Sequence, residues 1–248
     1  MSFDLVTTFP TLQNAPITEA VIDIRVERRP NVTLQELSLF TNGFELEFPN
    51  RAEQRSLKAR IDMSKGEATP TAADGYVFKS LDQKSIVQVG FDGLTISRLK
   101  PYENWSVFAE LAKRLWQRYI DTSHPTKVVR LGVRYINRID LDIGSDLFGT
   151  ILTGPQIAMA LPQNMLDFFM RLLIPDESGA VAIIHQTFSQ PEVGESTRSL
   201  IFDVDAIKNV DIDPRATEEI SGVFEELRRF KNRVFFNSLT NRTLERYR

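Results

Sequence analysis

The chain has 248 residues, of which 42% are hydrophobic and 25% are charged, as in an ordinary water-soluble domain. A formal net charge of -3 and a pI near 5.6 exclude an overall positive field that would attract nucleic acid. The sequence contains no cysteine and two histidines. The lack of cysteine excludes disulfides, thiolate metal sites and cysteine nucleophiles. With two histidines, the chain has few side chains from which to build a zinc site or a Ser–His–Asp triad.

The first residues, MSFDLVTTFP, show no basic region followed by an apolar run, so the sequence predicts no signal peptide. The most apolar stretch, Met165 to Ile174, carries Asp167 and Arg171. It is too short and too charged to span a bilayer. Because the chain also lacks cysteine, it suits a reducing compartment. We therefore expect a cytoplasmic protein that does not contact a membrane.

The first half of the chain alternates strands with two helices. Residues 1–16 are predicted as an extended arm, and Thr33 with Glu36 forms a capping box that opens a short helix ending near Gly43. Asp92 and Gly93 predict a hairpin with a type I′ turn. Asn104 introduces a long helix with an apolar stripe, which ends near His124. Strands are predicted over 17–27, 54–63, 76–80, 85–91 and 94–99.

The second half opens with the longest alternation in the sequence, from Val128 to Ile143. Apolar and charged residues alternate there, which predicts a long strand with one apolar and one charged face. An irregular connection is expected over 144–162, and a short apolar helix over 164–173. Asp213 is predicted to cap a helix that has Pro214 at its first position. Two further strands over 180–188 and 197–206, and a last helix over 239–247, complete this half.

Two helical segments, Ser106–Tyr119 and Gly222–Phe235, resemble each other, and each half begins with a long alternating strand. These features predict an α+β protein of antiparallel sheets packed with helices. They also predict a tandem duplication of a strand–helix–strands–helix unit. The halves would be 1–126 and 127–248, packed as one compact unit.

Charged residues recur every fourth position on both long strands. A carboxylate row on the first strand matches an arginine row on the second, so we expect the two strands to be neighbours joined by cross-strand ion pairs. The alternative is that the arginine row is a binding face for an anion, because a guanidinium presents a planar fork to phosphate or carboxylate. The rows are Glu19, Asp23 and Glu27, and the candidate binding residues Arg130, Arg134 and Arg138.

Other residue clusters have a structural and a functional interpretation. Four late aspartates could hold a divalent metal, but they lack calcium-loop spacing. His124 is expected at a helix end and His185 on a half-buried strand. No phosphate loop, nucleophile elbow or dinucleotide fingerprint is present, so we predict no catalytic residue, no metal site and no cofactor. The aspartates are Asp203, Asp205, Asp211 and Asp213, and an apolar group that could mark a partner site is Met165, Phe168, Phe169 and Leu172.

Three segments resemble a sporadically distributed prokaryotic family of uncharacterised proteins of about this length. They are the stretch from Ala15 to Val21, the segment LKPYENW at 99–105, and RLGVRYINRI at 130–139, and the closing Leu239–Thr240 also agrees. The resemblance spans nearly the whole chain and carries no catalytic residue with it. A patchy distribution implies an accessory gene of the kind found in defence or toxin neutralisation.

We therefore expect a non-enzymatic protein-binding component of a bacterial accessory or defence module, such as an antitoxin-like, immunity or chaperone-like protein. Its partner would be another protein or a second copy of the chain. One alternative is a nucleic-acid or nucleotide-binding protein that uses the arginine face, and another is a metal-dependent hydrolase that uses the late aspartates. Long β-edges, which accept partner strands, favour the first prediction.

Overall fold

A computed structural model of the chain describes residues 9–55, 73–141, 147–163, 165–189 and 198–248. In these ranges it has four α-helices and nine strands, and the strands form one antiparallel sheet. The predicted α+β class is confirmed, with a single sheet in place of several. The strands are β1 (Ile17–Glu27), β2 (Asn50–Gln54), β3 (Gly75–Lys79), β4 (Ser85–Gly90), β5 (Gly93–Leu99), β6 (Lys127–Asp140), β7 (Phe169–Pro175), β8 (Val181–Phe188) and β9 (Ser199–Ile212), and the helices are α1 (Leu34–Ser38), α2 (Trp105–Ser123), α3 (Thr217–Ser238) and α4 (Asn241–Glu245).

The sheet order is β2-β3-β4-β5-β1-β6-β9-β8-β7. The two long strands that open the predicted halves, β1 and β6, are therefore neighbours in the sheet, as predicted. β7 lies at one end of this order and β2 at the other. β7 pairs with β8 from Phe169 opposite Thr187 to Pro175 opposite Val181.

The chain divides into two compact units, and each has its own core. In the first unit (1–20, 133–208 and 224–248), α3 packs on β9, where the Phe202 and Phe235 rings stack 6.0 Å apart. In the second unit (21–132 and 209–223), α2 packs on the β4–β5 hairpin, where the Tyr119 hydroxyl donates to Gly90 O at 2.9 Å. The Trp116 indole donates to Pro214 O in this second unit at 3.1 Å. The division into halves 1–126 and 127–248 concerns the proposed duplication, and it stays a prediction.

Most predicted helix ends are confirmed. Thr33 and Glu36 form both bonds of the capping box at α1. The Asn104 side chain accepts from Val107 N at the start of α2, and His124 ends α2 in the left-handed conformation. The predicted stripe of α2 is buried at Phe108 and at the aromatic residues that follow it. The predicted strand over 54–63 lies almost entirely outside the described residues, and so do residues 1–8 of the predicted arm.

The predicted helix over 164–173 is wrong, because residues 169–175 form strand β7. A short apolar run has neither the length nor the periodicity to separate a helix from a strand, and here the pairing with β8 decides. The predicted cap at Asp213 is also wrong. Its carboxylate accepts from Arg215 N within a turn, and α3 begins later, at Thr217.

The hairpin between β4 and β5 is confirmed, but the predicted turn chemistry is not. Gly90 pairs with Gly93, so the two turn residues are Phe91 and Asp92, and neither has a positive φ. Gly93 is required for a different reason. A Cβ atom at this position would lie 2.1 Å from Ile24 O on the neighbouring strand β1.

Candidate functional site

Two of the predicted binding residues, Arg134 and Arg138, lie on the side of β6 opposite to α3. Tyr135 faces α3, because Lys231 of that helix lies over its ring. Arg134 and Arg138 alternate with Tyr135 and are half-buried. Each arginine of the row has polar partners, and the partners differ.

Arg134 is held by Asp203 of β9 through two hydrogen bonds. Its Nε and Nη2 atoms donate to the two carboxylate oxygens at 2.8 and 2.7 Å. Asp203 is only 4% exposed, so this bidentate pair neutralises a buried carboxylate. Hydrogen bonding to Asp203 raises the pKa of the Arg134 guanidinium above its ordinary value.

His185 of β8 completes this cluster. Its Nδ1 atom lies 3.3 Å from the Asp203 oxygen that also accepts from Arg134. The Phe169 ring of β7 stacks on the imidazole at 5.9 Å between ring centroids. A carboxylate that orients a histidine is one part of a general-base arrangement. Arg134 already occupies both oxygens of this carboxylate, so the cluster more closely resembles a structural ion-pair network.

Arg130 lies in the second unit, where its Nη2 atom donates to Asp23 of β1 at 2.9 Å. Asp23 is shared, because Arg25 contacts it at 2.9 Å and the Thr95 hydroxyl donates to it at 2.8 Å. Among the described residues the buried Nε atom of Arg130 has no hydrogen-bond partner. The predicted pairing between the two strands is therefore confirmed at Asp23 and Arg130.

Arg138 does not pair with Glu27, and the sheet register gives the reason. Thr126 N donates to Glu27 O and Arg138 N donates to Pro16 O, so the two charged residues lie at opposite ends of the β1–β6 ladder. The Arg138 Nε atom donates instead to the Ser199 hydroxyl at 2.9 Å. Glu19 contributes electrostatically to the raised pKa of Arg134. Among the described residues, Asp23 and Arg130 are therefore the members of the two rows that form a direct ion pair.

Three of the four late aspartates have separate roles. Asp203 accepts from Arg134, Asp211 contacts Lys127 Nζ at 2.9 Å, and Asp213 stabilises the turn before α3. Within the part of the chain that the structure describes, no three carboxylate or histidine side chains are grouped closely enough to hold a metal ion.

Strand β7 presents apolar side chains to solvent at the end of the sheet. Phe169 is 70% exposed and Leu173 is 52% exposed, and Arg171 between them is also exposed. These three side chains alternate with Met170 and Leu172, which are half-buried. Of the four residues that the sequence offered as an apolar partner site, Phe169 is exposed, whereas Met165, Phe168 and Leu172 are half-buried. Phe169 and Leu172 lie on strand β7 and not on the predicted helix.

Tyr102, Glu103 and Asn104 of the segment LKPYENW line a cleft of about 550 Å³ in the second unit. Arg98 donates to the Ser85 hydroxyl at 2.9 Å and to Glu103 at 3.2 Å on one wall. Arg114 binds Glu47 on the other wall with both terminal nitrogens, at 3.2 and 2.8 Å. Arg98 and Arg114 are therefore each paired with a glutamate of the cleft. The sequence patterns did not predict this cleft.

Lys231 of α3 is a buried cation that the sequence analysis missed. It is 5% exposed, and its Nζ atom lies 3.3 Å from the centroid of the Tyr135 ring. Burial lowers its pKa well below the ordinary lysine value, and the nearby Arg228 lowers it further. The signal was present in the sequence, because Phe224, Leu227 and Lys231 follow the apolar spacing of the helix.

Comparison with known protein families finds none that matches the chain, and comparison with curated proteins finds no match. None of the helices in the described ranges has the length and apolar character needed to cross a bilayer.

Proposed function

We propose that this protein is a non-enzymatic protein-binding component of a bacterial accessory or defence module, as antitoxin-like, immunity and chaperone-like proteins are. We place the binding site at β7, where a strand of the partner would extend the sheet. The observation that carries the proposal is an edge strand with exposed apolar side chains at Phe169 and Leu173.

The chemistry of a sheet edge supports this proposal. Every second residue of an edge strand directs its N–H and C=O groups outward, where an added strand can bind them. Edge strands that have no partner are blunted by charges, short length or proline. β7 has one charged residue, Arg171, and a proline only at its last position.

The other end of the sheet provides the contrast. β2 has the sequence NRAEQ, its five residues are polar apart from one alanine, and four of them are exposed. This composition is typical of an edge protected against pairing. The two described ends of the sheet therefore differ in chemistry, and the difference favours β7 as the binding edge.

The test is capture of a partner from the cells that produce the protein. Tagged wild type, Phe169→Lys and Leu173→Lys are compared, with Leu46→Lys as control because Leu46 is exposed in a turn of the other unit. We expect a stoichiometric partner with wild type and with the control, and its loss with both β7 variants. The captured protein is then purified and its binding measured with each variant. Binding that β7 variants leave unchanged would contradict the proposal, as would hydrolytic turnover by a protein that stays solitary.

Nucleic-acid or nucleotide binding through Arg130, Arg134 and Arg138 stays the alternative prediction. An anion at this row would compete with Asp23 and Asp203 for the guanidinium groups. A gel shift with single-stranded and duplex DNA at low salt tests it, since phosphate contacts weaken steeply as salt rises. A metal-dependent hydrolase is the third prediction, and calorimetry with divalent ions tests that one.

We also propose that the chain arose by tandem duplication. Outward from β1 the sheet order is β5, β4, β3, and outward from β6 it is β9, β8, β7. In each series the strand beside the central one is the last before a long helix, α2 or α3. Residues 17–26 and 128–137 also share one sequence of buried and half-buried positions. These correspondences support a common origin of the two halves.

A further inference from the structure

Arg171 is the one charged residue of β7, and it lies on the exposed side of that strand. Residues two apart on a strand share a side, so Arg171 is flanked there by Phe169 and Leu173. All three side chains are exposed, and all three belong to the strand itself, which runs from Phe169 to Pro175. The exposed side of the binding edge therefore reads apolar, cation, apolar.

Arg171 has no anion beside it in the sheet. Its partner across the ladder to β8 is His185, and its diagonal neighbours on that strand are Ile183 and Thr187. None of these residues is acidic. Within the described ranges, no carboxylate lies at ion-pair distance from the Arg171 guanidinium.

The arginines on the inner strands of the sheet differ from Arg171 in this respect. Each of them has a guanidinium nitrogen within 3.9 Å of a carboxylate oxygen of the same chain. They are Arg25 of β1, Arg98 of β5, and Arg130, Arg134 and Arg138 of β6. The chain thus neutralises the arginines of its inner strands, whereas the arginine of the edge strand is available to a molecule that binds there.

We propose that the strand which adds to β7 belongs to a different protein and carries an acidic residue opposite Arg171, with an apolar residue two positions away on each side. The acid then pairs with the guanidinium, and the apolar residues meet Phe169 and Leu173. The order apolar, acid, apolar is the same in both chain directions, so it applies to antiparallel and to parallel addition. The inference rests on the proposed function and names the chemistry of the partner at its site.

The edge strands of this chain do not offer that pattern. β7 contains no acidic residue, so β7 of a second copy cannot supply the acid. β2 contains Glu53, but the residues two positions away from it are Arg51 and Arg55. Two arginines would then lie against Phe169 and Leu173. A strand of another protein therefore fits the edge better than a second copy does.

The charge opposite Arg171 determines which strands this edge selects. Backbone hydrogen bonds form with a partner strand of almost any sequence, so side chains provide the specificity of strand addition. An apolar residue opposite Arg171 would displace water from the guanidinium and accept no hydrogen bond in return. A basic residue would repel it, whereas a carboxylate accepts hydrogen bonds from the planar fork.

Titration of the full chain with three blocked peptides tests the inference. The peptides are acetyl-TVTETVT-amide and the same sequence with glutamine or lysine at the centre, and calorimetry gives their dissociation constants. We expect the glutamate peptide to bind with a dissociation constant below about 1 mM. The lysine peptide should bind at least about fivefold more weakly, with the glutamine peptide between them.

Charge reversal in the protein provides the decisive comparison. Arg171→Glu should invert the preference, so that the lysine peptide binds at least about fivefold more tightly than the glutamate peptide. Arg51→Glu is the matched control, because Arg51 is an exposed arginine on the other edge strand, β2, and this variant should keep the wild-type order. Circular dichroism confirms that both variants are folded.

Two results would overturn the inference. One is a glutamate peptide that does not bind the wild-type chain at about 1 mM, and the other is a charge preference that Arg171→Glu leaves unchanged. If either is found while Phe169→Lys still abolishes capture of a protein, the acidic pattern is wrong and the proposed function stands. If Arg171→Glu inverts the preference and no protein is captured from the cells, the inference stands and the accessory-module role fails.

Discussion

At the scale of single residues, buried charge distinguishes the two units of the chain. Asp203 depends on one arginine and a histidine for its charge partners, whereas Asp23 is bound by two arginines and a threonine. The Lys231 ammonium group lies over the Tyr135 ring. Removing the single arginine partner of a buried carboxylate costs more stability than removing one of two arginine partners. In the first case the carboxylate stays buried without a guanidinium to neutralise it.

Arg134→Ala should therefore destabilise the protein more than Arg130→Ala. We expect a loss of about 1–3 kcal/mol at Arg134, less than for a fully buried pair because this side chain is 42% exposed. At Arg130 we expect less than about 1 kcal/mol, since Asp23 keeps Arg25 and Thr95. Urea unfolding of both variants measures the difference. An Arg134→Ala variant as stable as wild type would show that the arginine row is not structural and would revive anion binding.

Lys231→Met should stabilise the protein at neutral pH by about 1–3 kcal/mol, because methionine fills similar volume without a buried polar group. Burial places the folded-state pKa of Lys231 below its unfolded value of 10.5. Below the folded-state pKa, the lysine is protonated in both states and the full penalty is present. Between the two pKa values the unfolded chain binds more protons, so wild-type stability rises with pH.

The stability gap between Lys231→Met and wild type is therefore expected to be largest at low pH and to narrow as pH rises towards about 10.5. Denaturant unfolding at several pH values between about 6 and 10 measures it. Lys79→Met, at an exposed position of β3, controls for the loss of a surface lysine. A gap that widens with pH would contradict the burial of a destabilised cation at this position.

At the scale of elements, tight contacts between backbones matter as much as side-chain packing. Gly93→Ala should destabilise the protein by about 1–3 kcal/mol, because the new methyl group would press on Ile24 O and separate β5 from β1. Gly222→Ala is the matched control. A Cβ atom there meets nothing within 4 Å, and alanine favours the helix by about 0.5–1 kcal/mol. Thermal unfolding should shift in opposite directions for the two variants, and equal shifts would contradict the close approach at Gly93.

The sequence was most informative where local chemistry decides the structure. The Asn104 cap and the stripe through Phe108 specify α2, and opposite charges on β1 and β6 predicted that these strands are neighbours. The prediction of a helix failed at β7, because a short apolar run shows neither helical nor strand periodicity clearly. The pairing with β8 determines that this segment is a strand. The register also could not be read from the sequence, so the pairing of Arg134 with Asp203 across to β9 was missed.

At the scale of the molecule, we propose that β7 is a binding edge and not simply the last strand of a sheet. The two described ends of the sheet are chemically unlike, and the duplication we propose would relate β7 to the β3 position, where β2 adds a further strand. Among the described residues, the second half has no strand beside β7 in the position that β2 occupies beside β3. A partner strand would supply it.

Amide hydrogen exchange over residues 169–175 tests this claim most directly. The protein is measured dilute and alone, then with its captured partner in excess. We predict that alternate amides of β7 exchange at least about tenfold more slowly in the bound state, while the β2 amides change little. A complex that forms without slowing exchange at any β7 amide would contradict strand addition at this edge.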